Sequence, residues 1–195
     1  MKTLTDLGAQ ALVALRVLVL FTVVLGVGYP LLLTAGATVL GDRADRQLLR
    51  RDGQVVGSRQ LGQAFDGAQW FHSRPSAAGD GYDALASGAS NLGPENRDLL
   101  AAVEERRAAA AAEDGVDPSD VPPDALTASA SGLDPDISPA YAHQQVDRVA
   151  EERGVAPEQV RALVDRQTVS RTLGFVGEPR VNVLELNLAL DDLTG

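Results

Sequence analysis

Residues 17–41 read VLVLFTVVLGVGYPLLLTAGATVLG, 25 consecutive positions without a charged side chain, and they are flanked by Arg16 and Asp42. As a helix rising about 1.5 Å per residue, the stretch would reach roughly 37 Å, more than the ~30 Å hydrocarbon core of a bilayer. The sequence therefore predicts one transmembrane helix over 17–41, preceded by a short N-terminal segment over 1–16 and in contact with membrane lipid.

Three residues interrupt this helix near its middle: Gly26, Gly28 and Pro30. Small residues let another helix approach closely in lipid, and a neighbouring helix can satisfy a carbonyl that proline frees. We therefore expect these three residues to dock on a partner helix.

A second interpretation of the N-terminus is a cleaved secretory signal, because Ala35-Gly36-Ala37 has the small-x-small form of a cleavage site. The apolar run is longer than the usual core of about 7 to 15 residues, and only Lys2 and Arg16 supply positive charge before it. A retained anchor is favoured. In the alternative, cleavage near Ala37 would release a secreted or surface-tethered binding module that acts alone.

The rest of the chain is strongly acidic. The protein has 195 residues and a formal net charge of -10; residues 54–195 carry 11 Lys and Arg against 23 Asp and Glu, a net charge of -12. A nucleic-acid binder needs a basic face to displace counterions from phosphates, so nucleic acid is excluded as a partner. The absence of cysteine excludes disulfides and thiolate chemistry.

No pattern of catalytic residues is present in the sequence. The only lysine is Lys2, so no phosphate-binding loop with its lysine is possible. His143 and Asp147 lie one helical turn apart and supply only two ligands, which favours a solvated helix face over a metal site. The acids in Leu133-Asp134-Pro135-Asp136 favour a turn and a helix cap over a cation site. We predict no catalytic residue and no metal.

Residues 42–195 predict one soluble domain of the α+β class, with about three helices and short strands. The helices are expected to start at Pro94, at Ser138 as N-cap and at Pro157, and two of them to end at Gly115 and Gly154. Strands are expected at 53–57 and, from alternating leucines, at 181–190. The remaining predictions are a helical continuation through 42–52, strands and ordered loops over 58–93, and an exposed connection over 114–124.

Short motifs in a fixed order then identify a family. They are Arg74-Pro75-Ser76, Ser90-Asn91-Leu92-Gly93-Pro94, residues 128–135 (ASASGLDP), Ile137-Ser138-Pro139, Gln145 with Arg148-Val149-Ala150, residues 179–184 (PRVNVL) and residues 186–190 (LNLAL). Together with the N-terminal anchor, they resemble the KdpC family, the C subunit of the Kdp-type potassium-transporting ATPase.

The resemblance implies an accessory subunit of the cell membrane that lies beside the potassium-conducting subunit and the ATP-hydrolysing P-type subunit. It also implies a cytoplasmic N-terminus, an extracytoplasmic domain over 42–195, and a role as a catalytic chaperone that raises the pump subunit's affinity for ATP. Gln145 matches the glutamine proposed to contact nucleotide. Because an outer domain cannot touch cytoplasmic ATP, such an effect would travel as coupling free energy through the membrane helices. No covalently bound cofactor is implied, and ATP would act through the pump subunit.

The glycine-rich loops are expected to be ordered docking surface for the other subunits. The residues assigned to docking are Ser131, Gly132, Leu133, Asp134 and Pro135. A bulky side chain at Gly132 is expected to weaken assembly while leaving the domain folded.

Overall fold

The computed structural model describes residues 4–40 and 47–194, and the chain divides after Gln47 into two compact units. The first unit is helical throughout its described residues, with α1 (Leu4–Val23), a π-helical turn (Val24–Gly28) and α2 (Tyr29–Leu40). From Leu7 to Val39 it is long and apolar enough to cross a membrane, and its most apolar stretch is not buried in the protein. The predicted long apolar helix is confirmed; Gly41 lies outside the described residues.

The π-helical turn explains how Pro30 fits into this helix. Proline has no backbone N–H, and its ring would clash with the carbonyl four residues earlier in a regular α-helix. The Tyr29 N–H instead donates to the carbonyl of Val24, five residues back, which widens the helix just before the proline. The interruption predicted from Gly26, Gly28 and Pro30 is thus absorbed within one helix.

The second unit opens with an antiparallel hairpin of β1 (Leu48–Arg51) and β2 (Gln54–Ser58). Its turn residues Asp52 and Gly53 have φ values of 51° and 78°, as a two-residue hairpin turn requires. The predicted strand near 53–57 is confirmed with shifted ends. The predicted helical continuation is wrong for residues 48–52, and residues 42–46 lie outside the described part of the chain.

Helices are the main regular secondary structure in the rest of the second unit. They are α3 (Arg97–Asp114), a 3-10 turn (Pro118–Asp120), α4 (Pro123–Leu126), α5 (Pro139–Gln144), α6 (Val146–Arg153), α7 (Pro157–Gln167) and α8 (Val183–Thr194). The predicted helix ends at Gly115 and Gly154 are confirmed, since both glycines adopt the left-handed conformation, with φ values of 67° and 64°. The predicted N-cap at Ser138 is confirmed as well, because its Oγ accepts from the Tyr141 N–H at 3.0 Å.

Two helices differ from their predictions. Helix α3 begins later than Pro94, because the Asn96 side chain caps it by accepting from the N–H groups of Asp98 and Leu99 at 2.8 and 3.3 Å. The helix predicted from Ser138 is divided at Gln145 into α5 and α6. The connection over 114–124 contains the 3-10 turn and buries Val121, so it is only partly exposed.

A small antiparallel sheet has the strand order β3 (Asp136–Ile137), β5 (Arg180–Asn182) and β4 (Thr168–Val169). Val181 of the central strand pairs with Ile137 on one side and Thr168 on the other. It is fully buried against a core of mainly aliphatic side chains: Ala142, Val146, Val149, Ala150, Val160, Leu163, Val164, Val183, Leu186 and Leu190. The α+β fold class is confirmed.

The strand predicted over 181–190 is wrong beyond Asn182. The Asn182 side chain accepts from the Glu185 N–H at 3.1 Å, so it caps a helix at the point where the strand ends. Val183, Leu186 and Leu190 are buried at helical spacing in α8. The leucine spacing fits both a strand and a helix, and the Asn182 cap favours the helix.

Residues 59–96 contain no named strand or helix in the structure, so the strands predicted there are wrong and the ordered loops are confirmed. Side-chain hydrogen bonds hold this segment in place. Ser76 is one centre: its Oγ donates to the Gly132 carbonyl at 2.6 Å and accepts from the N–H groups of Ala78 and Tyr82 at 3.1 and 2.8 Å.

Candidate functional site

The predicted site residue Gln145 lies against a short segment that we call the clamped loop, residues 68–72. Side chains from α6, α8 and the turn at Gln145 donate hydrogen bonds to all five backbone carbonyls of this loop. The bonds are Arg148 Nη1 to Ala68 (2.5 Å) and Trp70 (2.9 Å), Arg153 Nε to Gln69 (3.0 Å), Asn187 Nδ2 to Phe71 (3.0 Å) and Gln145 Nε2 to His72 (3.2 Å). Phe71 is buried and the other four residues of the loop are half-buried. Backbone polar groups that lose contact with water need partners of this kind where no strand supplies them.

Gln145 and Asn187 bind the loop as a neighbouring strand would. Gln145 Oε1 accepts from the His72 N–H at 2.6 Å and Asn187 Oδ1 accepts from the Phe71 N–H at 2.9 Å, while their amide nitrogens donate to the carbonyls of the same two residues. The two side chains are 0% and 1% exposed. Each side-chain amide therefore pairs with the loop as one peptide group of a neighbouring strand would.

Arg148 joins this amide to a buried charge. Its Nη2 donates to Gln145 Oε1 at 2.8 Å, and its Nε donates to Asp114 Oδ1 at 2.7 Å. The Arg148 and Asp114 side chains are only 6% and 3% exposed, and Asp114 Oδ2 also accepts from Gln144 Nε2 at 2.6 Å. This guanidinium holds α6, the end of α3 and the clamped loop together.

Aromatic packing covers the outer side of the clamped loop. The Arg153 guanidinium lies 4.2 Å from the centre of the Trp70 ring, a cation–π contact. The Phe65 ring lies 6.0 Å from the Trp70 ring, centre to centre. Trp70 is the only tryptophan in the chain, so its fluorescence reports on this loop.

Sequence reasoning singled out Gln145 and missed Asp114, Arg153 and Asn187 as its companions. One signal was present: Gln145 and Arg148 share the apolar side of α6 with Val146 and Val149. Polar side chains among buried valines have to find partners. Which partners they find depends on a loop more than 70 positions away in sequence.

The loop assigned to docking, residues 131–135, lies mostly inside the domain. Ser131 is exposed, Gly132 and Leu133 are buried, and Asp134 and Pro135 are half-buried. Gly132 has a φ of 68°, and a Cβ built on it would lie 2.7 Å from both the Ala78 nitrogen and the Gly88 oxygen. The expectation that a bulky residue at Gly132 leaves the domain folded is therefore wrong, because the space is filled by backbone.

A cleft of about 600 Å³ borders this loop. Four carboxylates line it, from Asp124, Asp134, Asp136 and Glu178, together with Arg74 and Arg180. Arg74 Nη1 binds Asp134 Oδ2 and Arg180 Nε binds Asp136 Oδ2, each at 2.9 Å. Burial raises the pKa of Asp136 above its ordinary value, and the Asn182 hydrogen bond opposes this shift in part. The cleft is thus polar, with more negative than positive groups.

The two histidines bind nearby carboxylates. His143 Nε2 lies 3.1 Å from Asp165 Oδ1, and Asp147 binds Arg161 instead of His143. His72 Nδ1 lies 3.5 Å from Glu113 Oε1. Among residues 4–40 and 47–194, no group of three or more metal-ligating side chains is brought together. The structure thus places a different partner beside each residue of the possible His143 and Asp147 pair.

In the N-terminal helix, two of the residues assigned to helix docking have room for a methyl group. A Cβ on Gly26 would have Thr22 Cγ2 as its nearest contact at 3.8 Å, and one on Gly28 would have the Val23 oxygen at 3.6 Å. Both distances are ordinary van der Waals contacts. Docking of Gly26, Gly28 and Pro30 on another helix stays a prediction.

Comparison with known proteins places these features in a family. The model of the KdpC family, described as K+-transporting ATPase, c chain, matches residues 11–192 and so covers both the apolar helix and the acidic domain. The chain belongs to the KdpC family. It is accordingly a subunit of a potassium-transporting ATPase complex and not the catalytic subunit.

Individual relatives agree over nearly their whole length. The chain is 61% identical to the potassium-transporting ATPase KdpC subunit of Kineococcus radiotolerans, over 96% of this chain and 95% of the relative. It is 54% identical to the KdpC subunit of Mycobacterium tuberculosis over 94% of this chain and 98% of the relative. With the KdpC subunit of Acidobacterium capsulatum the identity is 51%, over 92% and 98% of the two chains.

Proposed function

We propose that this chain is the membrane-anchored accessory subunit of a high-affinity potassium uptake complex, where it stabilises the assembly of the potassium-conducting and P-type subunits. The observation that carries the proposal is the match to the KdpC family over residues 11–192. The charged side chains around Gln145 hold the clamped loop in place. This structural use of the charges supports a non-catalytic role for that part of the domain.

The domain acts on ATP affinity by coupling and not by contact. Both polar atoms of Gln145 are bonded to His72, and the side chain is fully buried. A nucleotide could reach this amide only by displacing the clamped loop. With the N-terminus in the cytoplasm and the domain outside, the bilayer also separates it from cytoplasmic ATP, so the effect is a coupling free energy between two sites.

Orientation can be tested with cysteines, since the chain has none of its own. We expect a cysteine at the exposed position Ser119 to react with a membrane-impermeant thiol reagent in intact cells, and a cysteine at Thr5 to react only after the cells are opened. Labelling at position 5 alone would contradict the proposed orientation.

The intact mass of the mature chain distinguishes a retained anchor from a signal cleaved near Ala37.

The role in ATP affinity is tested with purified complex prepared with and without this chain. Omission should raise the KM for ATP about fivefold or more, the usual scale of coupling between sites. Gln145→Leu should leave the KM within about twofold in complexes that contain the subunit at full stoichiometry, because a buried side chain makes no nucleotide contact. The matched control is Asn187→Leu, which releases the same loop at Phe71. A raised KM with Gln145→Leu but not with Asn187→Leu would establish direct contact and contradict coupling.

A further inference from the structure

A protruding hairpin lies between β4 and β5, and we call residues 170–179 the arm. Every residue from Val169 to Arg180 is exposed. The arm is nevertheless ordered by backbone bonds: Thr172 and Val176 exchange both N–H to carbonyl bonds at 2.9 Å, and the Gly174 N–H donates to the Arg171 carbonyl at 3.0 Å. An ordered arm loses little conformational entropy when it binds.

The tip of the arm is apolar where the surrounding surface is charged. Leu173, Phe175 and Val176 are 81%, 73% and 49% exposed, and no charged residue lies between Arg171 and Glu178, which pair with each other at the base. Clustered exposed apolar side chains mark interaction sites more often than isolated ones do.

Leu173 also breaks a local rule of backbone conformation. Its φ is 54°, in the left-handed region that a bulky side chain rarely adopts and that glycine or asparagine would occupy at lower cost. Because the Leu173 side chain is exposed, its packing within the domain does not offset the cost of this backbone conformation. Such positions cluster where structure serves binding.

The base of the arm forms one wall of the acidic cleft. Glu178, Pro179 and Arg180 line the cleft together with Asp124, Asp134 and Asp136. Three of its four carboxylates are in ion pairs: Glu178 with Arg171, Asp134 with Arg74 and Asp136 with Arg180. Among the described residues, Asp124 has hydrogen bonds to Ser138 and no cationic partner. A segment that covered the tip and followed the arm to its base would therefore meet the Asp124 carboxylate in the cleft.

From this juxtaposition we propose that the arm and the cleft together form a docking surface for a loop of another protein subunit, one that places apolar side chains on Leu173 and Phe175 and a lysine or arginine in the cleft. This rests on the proposed function, since it names the surface through which the accessory subunit binds. The acidic domain is unsuited to an anionic lipid surface, which attracts cationic segments. A second copy of this chain would bring the same negative charge.

The test measures binding of the full-length chain, in detergent, to the other subunits of the complex purified without it. The variant L173N/F175T places asparagine, which tolerates a left-handed backbone, at position 173 and a smaller polar side chain at the exposed position 175. It should weaken binding about 30-fold, as the loss of a central apolar anchor does. The matched control L85S/L100S replaces two leucines that are 98% and 52% exposed elsewhere, and it should bind as the wild type does. Glu178→Lys should weaken binding roughly threefold at low salt and less at high salt.

Four other outcomes of this binding test would contradict either the proposed function or the docking surface. If the wild-type chain fails to bind the other subunits, the proposed function fails. If it binds and L173N/F175T binds equally well, the docking surface is wrong while the proposed function stands. If the variant loses only its affinity for phosphatidylglycerol vesicles, the arm binds lipid; if it loses only self-association in sedimentation, the arm binds a second copy. Either result contradicts the proposal.

Discussion

Arg148→Met should lower the free energy of unfolding of the acidic domain by about 3 to 5 kcal/mol, the range seen when one partner of a buried ion pair is removed. The methionine fills much of the same volume but leaves the Asp114 carboxylate, which is 3% exposed, without its cation. It also leaves the carbonyls of Ala68 and Trp70 without donors. Unfolding of the full-length chain in urea, followed by circular dichroism and by Trp70 fluorescence, measures the loss.

The matched control for Arg148→Met is Arg161→Met. Arg161 pairs with Asp147 at 3.4 Å, but the two side chains are 47% and 73% exposed. We expect a change of less than about 0.5 kcal/mol, because water screens an exposed pair. Adding Asp114→Asn to Arg148→Met should restore part of the stability by removing the uncompensated charge. Equal losses for Arg148→Met and Arg161→Met would show that burial of the pair is not what stabilises the domain.

Gly132→Ala should destabilise the domain by about 4 kcal/mol, through overpacking and a left-handed backbone together. The added methyl group would lie 2.7 Å from backbone atoms of Ala78 and Gly88, and backbone cannot move aside as a flexible side chain can. The midpoint of urea unfolding of the full-length chain is the measurement. A tryptophan at this position should prevent folding, so it cannot serve as a probe of assembly.

Gly115 supplies the control for Gly132. Its φ is 67° against 68° for Gly132, yet a Cβ on Gly115 would meet nothing within 4 Å. Gly115→Ala should therefore cost only about 1 kcal/mol, the conformational part of the effect. If the two alanine variants unfold at the same urea concentration, the crowding at Gly132 has no energetic consequence.

Much of the helical framework could be predicted from local sequence. Ser138, Gly115 and Gly154 act within three or four residues of their own positions, so their capping roles depend on little else. The apolar helix before Gly41 is equally local, since its composition alone predicts it. These elements were predicted correctly for that reason.

The failures arose where distant residues decide the structure. Leucines alternating over 184–190 fit a strand and a helix alike, and the Asn182 cap and the core together select the helix. The clamped loop has no periodicity at all, because its partners are side chains and not a strand. Gln145 was singled out by family resemblance, while its physical role required Arg148, Asn187 and His72 to be seen together.

Gly132 is another position where distant residues decide the structure. Its place in a glycine-rich motif predicted an ordered docking surface, and glycine-rich sequence is indeed typical of loops. The structure shows a glycine required for close approach of two backbone segments. Sequence alone does not separate a glycine that is open to a partner from one that is crowded by its own domain.

The clamped loop has a consequence for the order of events during synthesis. Phe71 is bound by Asn187, which follows it by 116 residues. At a ribosomal rate of about 10 residues per second, roughly 12 seconds pass between the two. Throughout that interval the Phe71 peptide group has no Asn187 to bind, so the clamped loop completes its hydrogen bonds only after the last helix has been made. A nascent chain that stops before α8 therefore lacks the side chain that binds Phe71, even though most of its core residues have already been made.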